Sequence, residues 1–181
     1  MENKNLEKLR YPVGKYKEQE NIPPEKLKEY IVTFEQFPYR LHIEIEKLDE
    51  KHLDTPYREG GWSIRQVIHH VADSHMNGYI RMKLALTENN PVIKPYYEDR
   101  WAELEDYKLT PTAISFELLD LLHKRWAILM KSLTPLQLKR TYHHPETNED
   151  ITLENQIGYY GWHSEHHLAH ITELKKRMGW E

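Results

Sequence analysis

The chain has 181 residues, no cysteine and a formal net charge of -4, with acidic and basic residues mixed along its length. This length suits one domain with a substantial core, and the mixed charge excludes the basic footprint of a nucleic-acid-binding protein. No stretch approaches the roughly 18 consecutive apolar residues of a membrane-spanning helix. Residues 1–10 lack the apolar segment of a signal peptide, so we expect a cytoplasmic protein.

The absence of cysteine excludes disulfides, cysteine-ligated zinc and a protein thiol nucleophile. A metal site in this chain would therefore use histidine, aspartate or glutamate. Thiol chemistry would need a thiol brought by a cosubstrate.

The N-terminal part of the chain is predicted to be an extended arm followed by an interrupted helix. Residues 1–23 are polar and contain two prolines and a glycine, which favours extended chain. From Pro24 onward, apolar residues recur at helical spacing. Pro38 lacks a backbone N–H group and is predicted to break or kink this helix, so that residues 39–48 form a second piece.

The clearest helix boundary in the sequence is at Ser63. Gly60 and Gly61 indicate a turn before it, and Ser63 and Gln66 have the spacing of a capping box. This helix is predicted to run to about Thr87, where an Asn-Asn-Pro sequence follows shortly.

A long aromatic connection at residues 89–109 separates this helix from the next one. Connections of that length are usually functional or packed over another element. Thr110 is predicted to be an N-cap residue, with Pro111 at the first position of a helix that runs to about Leu133.

The C-terminal part is predicted to contain an irregular hairpin and a final long helix. The hairpin is predicted at residues 139–151, and the helix from about Thr152 to Met178, with Gly179 just past its end. The predicted fold is therefore all-α: an up-and-down four-helix bundle, in one domain over residues 1–181, with a short hairpin before the last helix. Sites in such bundles form from side chains on facing helices.

Histidines are concentrated in the last predicted helix, where four of the chain's 12 lie within eight residues: His163, His166, His167 and His170. Residues four apart share one face of a helix. On a helical wheel, His163 and His167 lie at the edge of the apolar stripe, His170 lies close behind them, and His166 faces away. His163 and His167 are therefore the predicted pair of metal ligands.

A third ligand is predicted on the helix that begins after Ser63. His70 lies at the edge of its apolar stripe, whereas His69 points nearly the opposite way. His75 falls inside the stripe and is predicted to be a hydrogen-bonded core histidine.

A set of three imidazoles is more specific for metal than one histidine, which is usually a packing or surface residue. Three protein ligands leave coordination positions open, as catalytic metal sites do. The chain lacks the His-Glu-x-x-His motif of zincins.

Three segments around these histidines resemble a known family. They are GGWSIRQVIHHVADSHMN at residues 60–77, YIRMKLALTE at residues 79–88 and GWHSEHHLAHI at residues 161–171. With the order of elements between them, these segments resemble the DinB-like superfamily and, within it, the YfiT branch of metal-dependent hydrolases.

The resemblance implies a four-helix bundle that holds one divalent metal ion on three histidines. In the family pattern the first ligand follows a tryptophan by eight positions, which maps from Trp62 to His70. The other two form a His-x-x-x-His pair, which maps to His163 and His167. The resemblance also implies a homodimer and a second activity seen in this branch, bacillithiol S-transfer.

Two enzyme mechanisms and one non-catalytic alternative fit a three-histidine site. A metal ion can lower the pKa of water from about 15.7 toward 7, which favours a hydrolase. It can also hold a low-molecular-weight thiol cosubstrate as its thiolate, which favours an S-transferase. The third alternative is a stress-associated bundle that binds metal without turnover. Zinc is the expected ion and nickel the alternative, since imidazole suits several divalent metals.

Three polar residues near His70 are predicted to assist the metal. Asn77 and Arg81 are predicted to orient or charge-balance an anionic small-molecule substrate, and Asp73 to support a ligand from behind. The alternative for Arg81 and Asp73 is surface ion pairs. The aromatic residues at 96–107 either cover a pocket or pack onto the bundle.

Overall fold

The computed structural model describes the backbone of residues 2–180 and the side chains of residues 6–180. Met1 and Glu181, the ends of the predicted domain, lie outside the described residues. Four long helices and a two-stranded antiparallel hairpin dominate the structure. The elements in chain order are α1 (Glu2–Arg10), α2 (Pro24–Ile45), α3 (Glu50–Leu53), α4 (Ile64–Thr87), α5 (Glu98–Trp101), α6 (Glu105–Leu109), α7 (Thr112–Ser132), α8 (Pro135–Leu138), β1 (Thr141–His144), β2 (Glu149–Thr152) and α9 (Leu153–Met178).

The four long helices form the predicted bundle, but not in the simplest order. Helix α2 packs against α7 and α9, and α4 packs against the same two helices. Helices α2 and α4 follow one another in the chain and yet lie on the diagonal of the bundle. As a result, the second and fourth long helices, α4 and α9, are neighbours and can share a site.

Several predicted boundaries are confirmed because the capping chemistry is local. Ser63 and Gln66 form the full capping box at the start of α4. Thr152 caps α9 by accepting a hydrogen bond from the Asn155 amide, and Gly179 ends that helix with a left-handed φ of 68°. The predicted hairpin is present as β1 and β2.

The predicted N-cap at Thr110 is wrong. Helix α7 starts at Thr112, and Pro111 is its cap residue without a side-chain cap. Thr110 instead ends α6, where its backbone amide donates to the carbonyl of Asp106. Thr110 is therefore the C-cap residue of α6 and does not cap α7.

The break predicted at Pro38, with a separate helix after it, is also wrong, since α2 continues through this residue to Ile45. A proline inside a helix removes one hydrogen bond and costs about 3 kcal/mol. Pro38 is buried, as are Phe37 and Leu41, which belong to the apolar core. Burial of this face in the bundle keeps the helix continuous.

The arm predicted at residues 1–23 is extended only in its second half. Residues 2–10 form α1, because Glu, Lys, Leu and Arg are good helix formers and the basic side chains near its end suit the helix dipole. The following segment lies along α9. There Asn155 receives hydrogen bonds from the Tyr16 hydroxyl at 3.1 Å and the Gln19 amide at 3.0 Å, and the Trp162 indole donates to the Gly14 carbonyl.

No helix within residues 2–180 is long and apolar enough to cross a membrane.

Candidate metal centre

The three predicted ligands meet where α4 faces α9. His70 comes from α4, and His163 and His167 come from α9. One ring nitrogen from each lies within 4.8 Å of the others, and all three side chains are buried. The Nε2 atoms of His163 and His167 are 3.2 Å apart. Two nitrogens bound at zinc–nitrogen distance to one tetrahedral ion would be about 3.3 Å apart, so this spacing fits two ligands of one ion.

A close contact between the helices fixes the height at which these histidines face each other. A Cβ atom on Gly78 would come closer than 3.0 Å to the ring of Tyr160. The Tyr160 hydroxyl donates to the Ser74 carbonyl at 3.0 Å, and the Gln156 amide donates to the Gly78 carbonyl at 2.8 Å. Glycine at position 78 therefore lets α9 approach α4 one turn away from the ligands.

The electrostatics of the site favour neutral imidazoles. Burial, together with the smaller effect of the nearby His166, lowers the pKa of His70 to about 3. Burial likewise holds the pKa of His163 and of His167 well below the ordinary value. Neutral imidazole is the form that binds metal.

The donor set fits a divalent ion of the zinc or nickel type. It consists of three uncharged nitrogens, and Nδ1 of His70 and Nδ1 of His167 are buried without a hydrogen-bond partner within residues 6–180. Nitrogen donors of this kind suit zinc, nickel, copper and iron, and three of them leave room for further ligands.

The histidines open onto a cavity of 640 Å³ whose wall combines nine tyrosine and tryptophan side chains with charged ones, among them Arg81 and five carboxylates. Trp62 packs on His70 with ring centres 4.5 Å apart, and Tyr159 packs on His163 at 5.5 Å. The wall also includes the aromatic side chains of Tyr11, Tyr16, Tyr57, Tyr96, Tyr142, Tyr160 and Trp162. A small molecule with apolar surface would fit such a wall.

Of the three residues predicted to assist the metal, Arg81 lines this cavity and the other two do not. Its Nε atom is buried without a hydrogen-bond partner, and it forms no ion pair within residues 6–180, so the surface ion-pair alternative does not describe it. Burial raises the pKa of the Tyr160 hydroxyl, and the Arg81 guanidinium opposes that shift. An anionic group entering the cavity would find an unpaired positive charge.

Asp73 and Asn77 lie on α4 outside the cavity wall. The Asp73 carboxylate accepts a hydrogen bond from the Tyr107 hydroxyl at 2.7 Å, so it engages the connection before α7 rather than an imidazole. The Asn77 amide donates to the backbone carbonyl of Asp73 at 2.9 Å. Their predicted roles in catalysis stay predictions.

Both interpretations of the aromatic connection hold, each for a different residue. Tyr96 lines the cavity, and Trp101 packs behind it with ring centres 4.6 Å apart. Tyr107 is buried and holds Asp73 of α4. One segment thus covers the site and ties itself to the bundle.

The prediction for His75 is confirmed, and the one for His166 is wrong. His75 is fully buried, and its Nε2 atom lies 3.0 Å from Nδ1 of His163. His166 was expected to face away, but it is buried and lines the cavity, stacked on Trp162 with ring centres 4.7 Å apart. The N-terminal arm covers this face of α9, which no periodicity within the helix could indicate.

A second group of histidines lies beside the first. One ring nitrogen from each of His166, His167 and His170 falls within 4.8 Å of the others. His170 Nε2 donates to the Arg10 carbonyl at 3.1 Å, and the ring stacks on Tyr57 at 3.9 Å. Because these contacts tie His170 to the arm and to the segment before α4, it forms part of the wall around the three predicted ligands.

Comparison with known proteins agrees with this architecture. The chain is 53% identical over 172 residues to a protein of Bacillus subtilis (strain 168) named "Putative metal-dependent hydrolase YfiT", covering 95% of this chain and 97% of that one. A relative in Bacillus cereus (strain G9842), also named a putative metal-dependent hydrolase, is 54% identical over 172 residues, covering 95% of this chain and 98% of its own.

A solved structure superposes closely on this one. It is YfiT from Bacillus subtilis, described as a probable metal-dependent hydrolase with an unusual four-helix bundle topology. The TM-score is 0.94 at 52% identity, over 96% of this chain and 99% of that chain. A model of the DinB superfamily matches residues 33–171, which contain all four long helices except the ends of α2 and α9. This chain belongs to the DinB superfamily.

Proposed function

We propose that this protein is a metal-dependent hydrolase whose divalent ion is held by His70, His163 and His167. The observation that supports this most is the convergence of three buried imidazoles on one wall of a 640 Å³ cavity, with two Nε2 atoms 3.2 Å apart. The relatives named for metal-dependent hydrolysis align with nearly the whole chain.

When bound, a divalent ion supplies Lewis acidity that lowers the pKa of water from about 15.7 toward 7. The protein supplies the surroundings. Three uncharged ligands leave the charge of the ion uncompensated within its ligand set, and aromatic side chains form part of the cavity wall around it. Arg81 offers its guanidinium to an anionic group of the substrate, and the Tyr160 hydroxyl stays bound to the Ser74 carbonyl.

Catalysis is favoured over a purely structural role by the number of ligands. Structural zinc sites are usually closed by four protein ligands, whereas catalytic sites keep an open position. The ligand group offers three histidines and opens onto the cavity. A small-molecule substrate can therefore reach the ion.

Zinc is the ion we propose. The spacing of the two Nε2 atoms fits tetrahedral geometry, and three nitrogen donors are common in catalytic zinc sites. Nickel is the competitor, because imidazole binds both ions well. Metal analysis of protein purified without affinity tags that bind metal, followed by competition titrations with zinc and nickel, would decide between them.

Hydrolysis is tested with a panel of ester, amide and phosphoester substrates. We expect turnover that requires added zinc, disappears in His163→Ala and persists in His42→Ala, a control that removes an exposed histidine of α2. A parallel assay adds bacillithiol and a model electrophile. Turnover in that assay alone would reject the hydrolase in favour of the S-transferase, and turnover in neither would leave a non-catalytic metal site.

We also propose that the protein forms a homodimer through α7. Ile114, Leu118, Leu121 and Ile128 are 45–72% exposed along one side of this helix, and Tyr39 of neighbouring α2 is exposed too. Exposed apolar side chains gathered on one side of a helix are typical of an interface. Sedimentation velocity should give a dimer for the native chain and a monomer for Leu121→Glu/Ile128→Glu. A native monomer would refute the proposal.

A further inference from the structure

The proline inside α2 leaves a carbonyl group without its usual partner. In an α-helix, the carbonyl of residue 34 accepts from the amide of residue 38, and Pro38 has no amide hydrogen. The Phe34 carbonyl instead lies 2.7 Å from Nδ1 of His123, a buried side chain of α7. The proline that α2 tolerates therefore creates an acceptor for a histidine on another helix.

From that carbonyl a chain of hydrogen bonds runs through two histidines to a metal ligand. His123 Nε2 lies 2.7 Å from His75 Nδ1, and His75 Nε2 lies 3.0 Å from His163 Nδ1. The chain thus crosses from α2 through α7 and α4 to α9. His123 and His75 use both of their nitrogens within this chain, whereas His163 uses Nδ1 and places its Nε2 atom 3.2 Å from Nε2 of His167 in the ligand group.

The direction of every bond in this chain follows from its first member. A carbonyl oxygen only accepts, so His123 carries its hydrogen on Nδ1 and has a lone pair on Nε2. That lone pair accepts from Nδ1–H of His75, whose Nε2 then accepts from Nδ1–H of His163. With its hydrogen on Nδ1, His163 presents a lone pair on Nε2.

The surroundings of these rings are apolar and closed to water, which favours their uncharged form. His75 and His123 are at most 1% exposed. Phe34 stacks on His123 with ring centres 3.7 Å apart, and the ring centre of Trp126 lies 6.4 Å from that of His75. Burial lowers the pKa of His123 to about 3. A charged imidazole would carry two N–H groups and leave one of them facing a donor.

We propose that His75 and His123 are positioning residues, which together with the Phe34 carbonyl hold His163 in the Nδ1–H form with its Nε2 lone pair directed at the metal ion. The proposal rests on the assignment of His163 as a ligand in the proposed function. Ligating histidines usually donate their second N–H to a carboxylate, a carbonyl or water. Here the final acceptor is the Phe34 carbonyl, and the imidazoles of His123 and His75 lie between it and the ligand.

The first test reads the tautomers directly in metal-free protein. Long-range proton–nitrogen correlation spectra of histidine-labelled protein should give Nδ1–H for His75, His123 and His163, with signals assigned from single-site variants. Nε2–H or a charged ring at any of the three near pH 7.5 would overturn the proposal. Because this measurement needs neither metal nor turnover, it can succeed even if the proposed function fails.

The second test separates positioning from packing by two substitutions of His75. Gln can place its amide oxygen near the position of Nε2 and accept from His163, whereas Leu fills similar space without an acceptor. We expect zinc affinity to fall by about 10- to 100-fold in His75→Leu and by much less in His75→Gln. Equal losses in the two folded variants, or no loss in His75→Leu, would refute a positioning role. If native protein binds no zinc, the proposed function fails and the tautomer spectra decide the inference.

Discussion

The ring of Tyr160 occupies the space that a side chain at position 78 would need, so the α4–α9 contact depends on Gly78. Gly78→Ala should force the helices apart. Overpacking of this kind usually costs about 1–3 kcal/mol. Because His70 and His163 lie on the two separated helices, zinc affinity should fall as well.

Gly158→Ala is the matched control for this change. A Cβ atom there would meet the hydroxyl of Tyr16 at 2.5 Å, which is the end of a side chain from the arm rather than part of the bundle. Urea unfolding should show the smaller loss for Gly158→Ala, and zinc titration should show native affinity. If Gly78→Ala has the same free energy of unfolding and the same zinc affinity as the native protein, the contact at Gly78 does not determine the geometry of the metal site.

Zinc should stabilise the native protein through its three proposed ligands. Zinc at about 100 times its dissociation constant is expected to raise the free energy of unfolding by about 2.7 kcal/mol. In His163→Ala this increment should disappear, while His42→Ala should keep it. Urea titrations with zinc and with a chelator measure the difference, and stabilisation of all three proteins alike would point to binding elsewhere.

Acid should destabilise the metal-free protein, and His123 should account for part of the effect. Its pKa is about 3 in the folded state against 6.5 ordinarily, so below pH 6.5 the unfolded chain binds one proton more than the folded one. Stability from this group is complete above pH 6.5 and falls by about 1.4 kcal/mol per pH unit as the pH drops toward 3.

His123→Leu should therefore show a shallower acid dependence than the native protein, by about 1.4 kcal/mol per pH unit between about pH 4 and 6. Its stability near pH 7.5 should be lower, since the Phe34 carbonyl and His75 lose a partner. Urea unfolding at a series of pH values measures the slopes. Identical slopes would mean that His123 is charged, or exposed to water, in the folded protein.

Arg81 is expected to select anionic substrates. Removing its guanidinium in Arg81→Ala should lower kcat/KM for an anionic substrate by roughly 10- to 100-fold, the range of a hydrogen bond to a charged group. Neutral substrates and zinc affinity should change little. Arg100→Ala, which removes an arginine stacked on Tyr97, serves as the control. An equal loss for anionic and neutral substrates would rule out a selective role.

Asn155 is expected to hold the N-terminal arm against α9. Asn155→Ala removes its hydrogen bonds to Tyr16 and Gln19. We expect the free energy needed to detach the arm from α9 to fall by about 1–3 kcal/mol. Trypsin should then cut faster after Lys15 and Lys17, while the bundle stays intact. Asn21→Ala, which loses only a bond to Lys139, is the control. Unchanged cleavage would show that the arm is held by other contacts.

The parts of this structure that follow from the sequence are those set by local chemistry or by one helix face. Ser63 and Gly179 mark helix ends because their own side chain or backbone makes the cap. Helical geometry alone places His163 and His167 on one face of α9 and His70 at the edge of the apolar face of α4.

The remainder depends on partners that are distant in the chain. His166 is buried because the arm covers it, and Pro38 stays within a helix because its face is covered by the bundle. The link from Phe34 to His163 joins four helices, and no pattern within any one of them indicates it. The diagonal placement of α2 and α4 is likewise a property of the whole bundle.

The arm along α9 also determines when the cavity can form during synthesis. Its inner wall combines Tyr11 and Tyr16, made first, with Trp162 and His166, made near the end. The Tyr16–Asn155 bond closes a loop of 139 positions. Until α9 has been synthesised, a nascent chain lacks Trp162 and His166 and cannot enclose the cavity. The pocket is thus a feature of the released chain, and a fragment stopped before residue 155 would have the first ligand without an enclosed site.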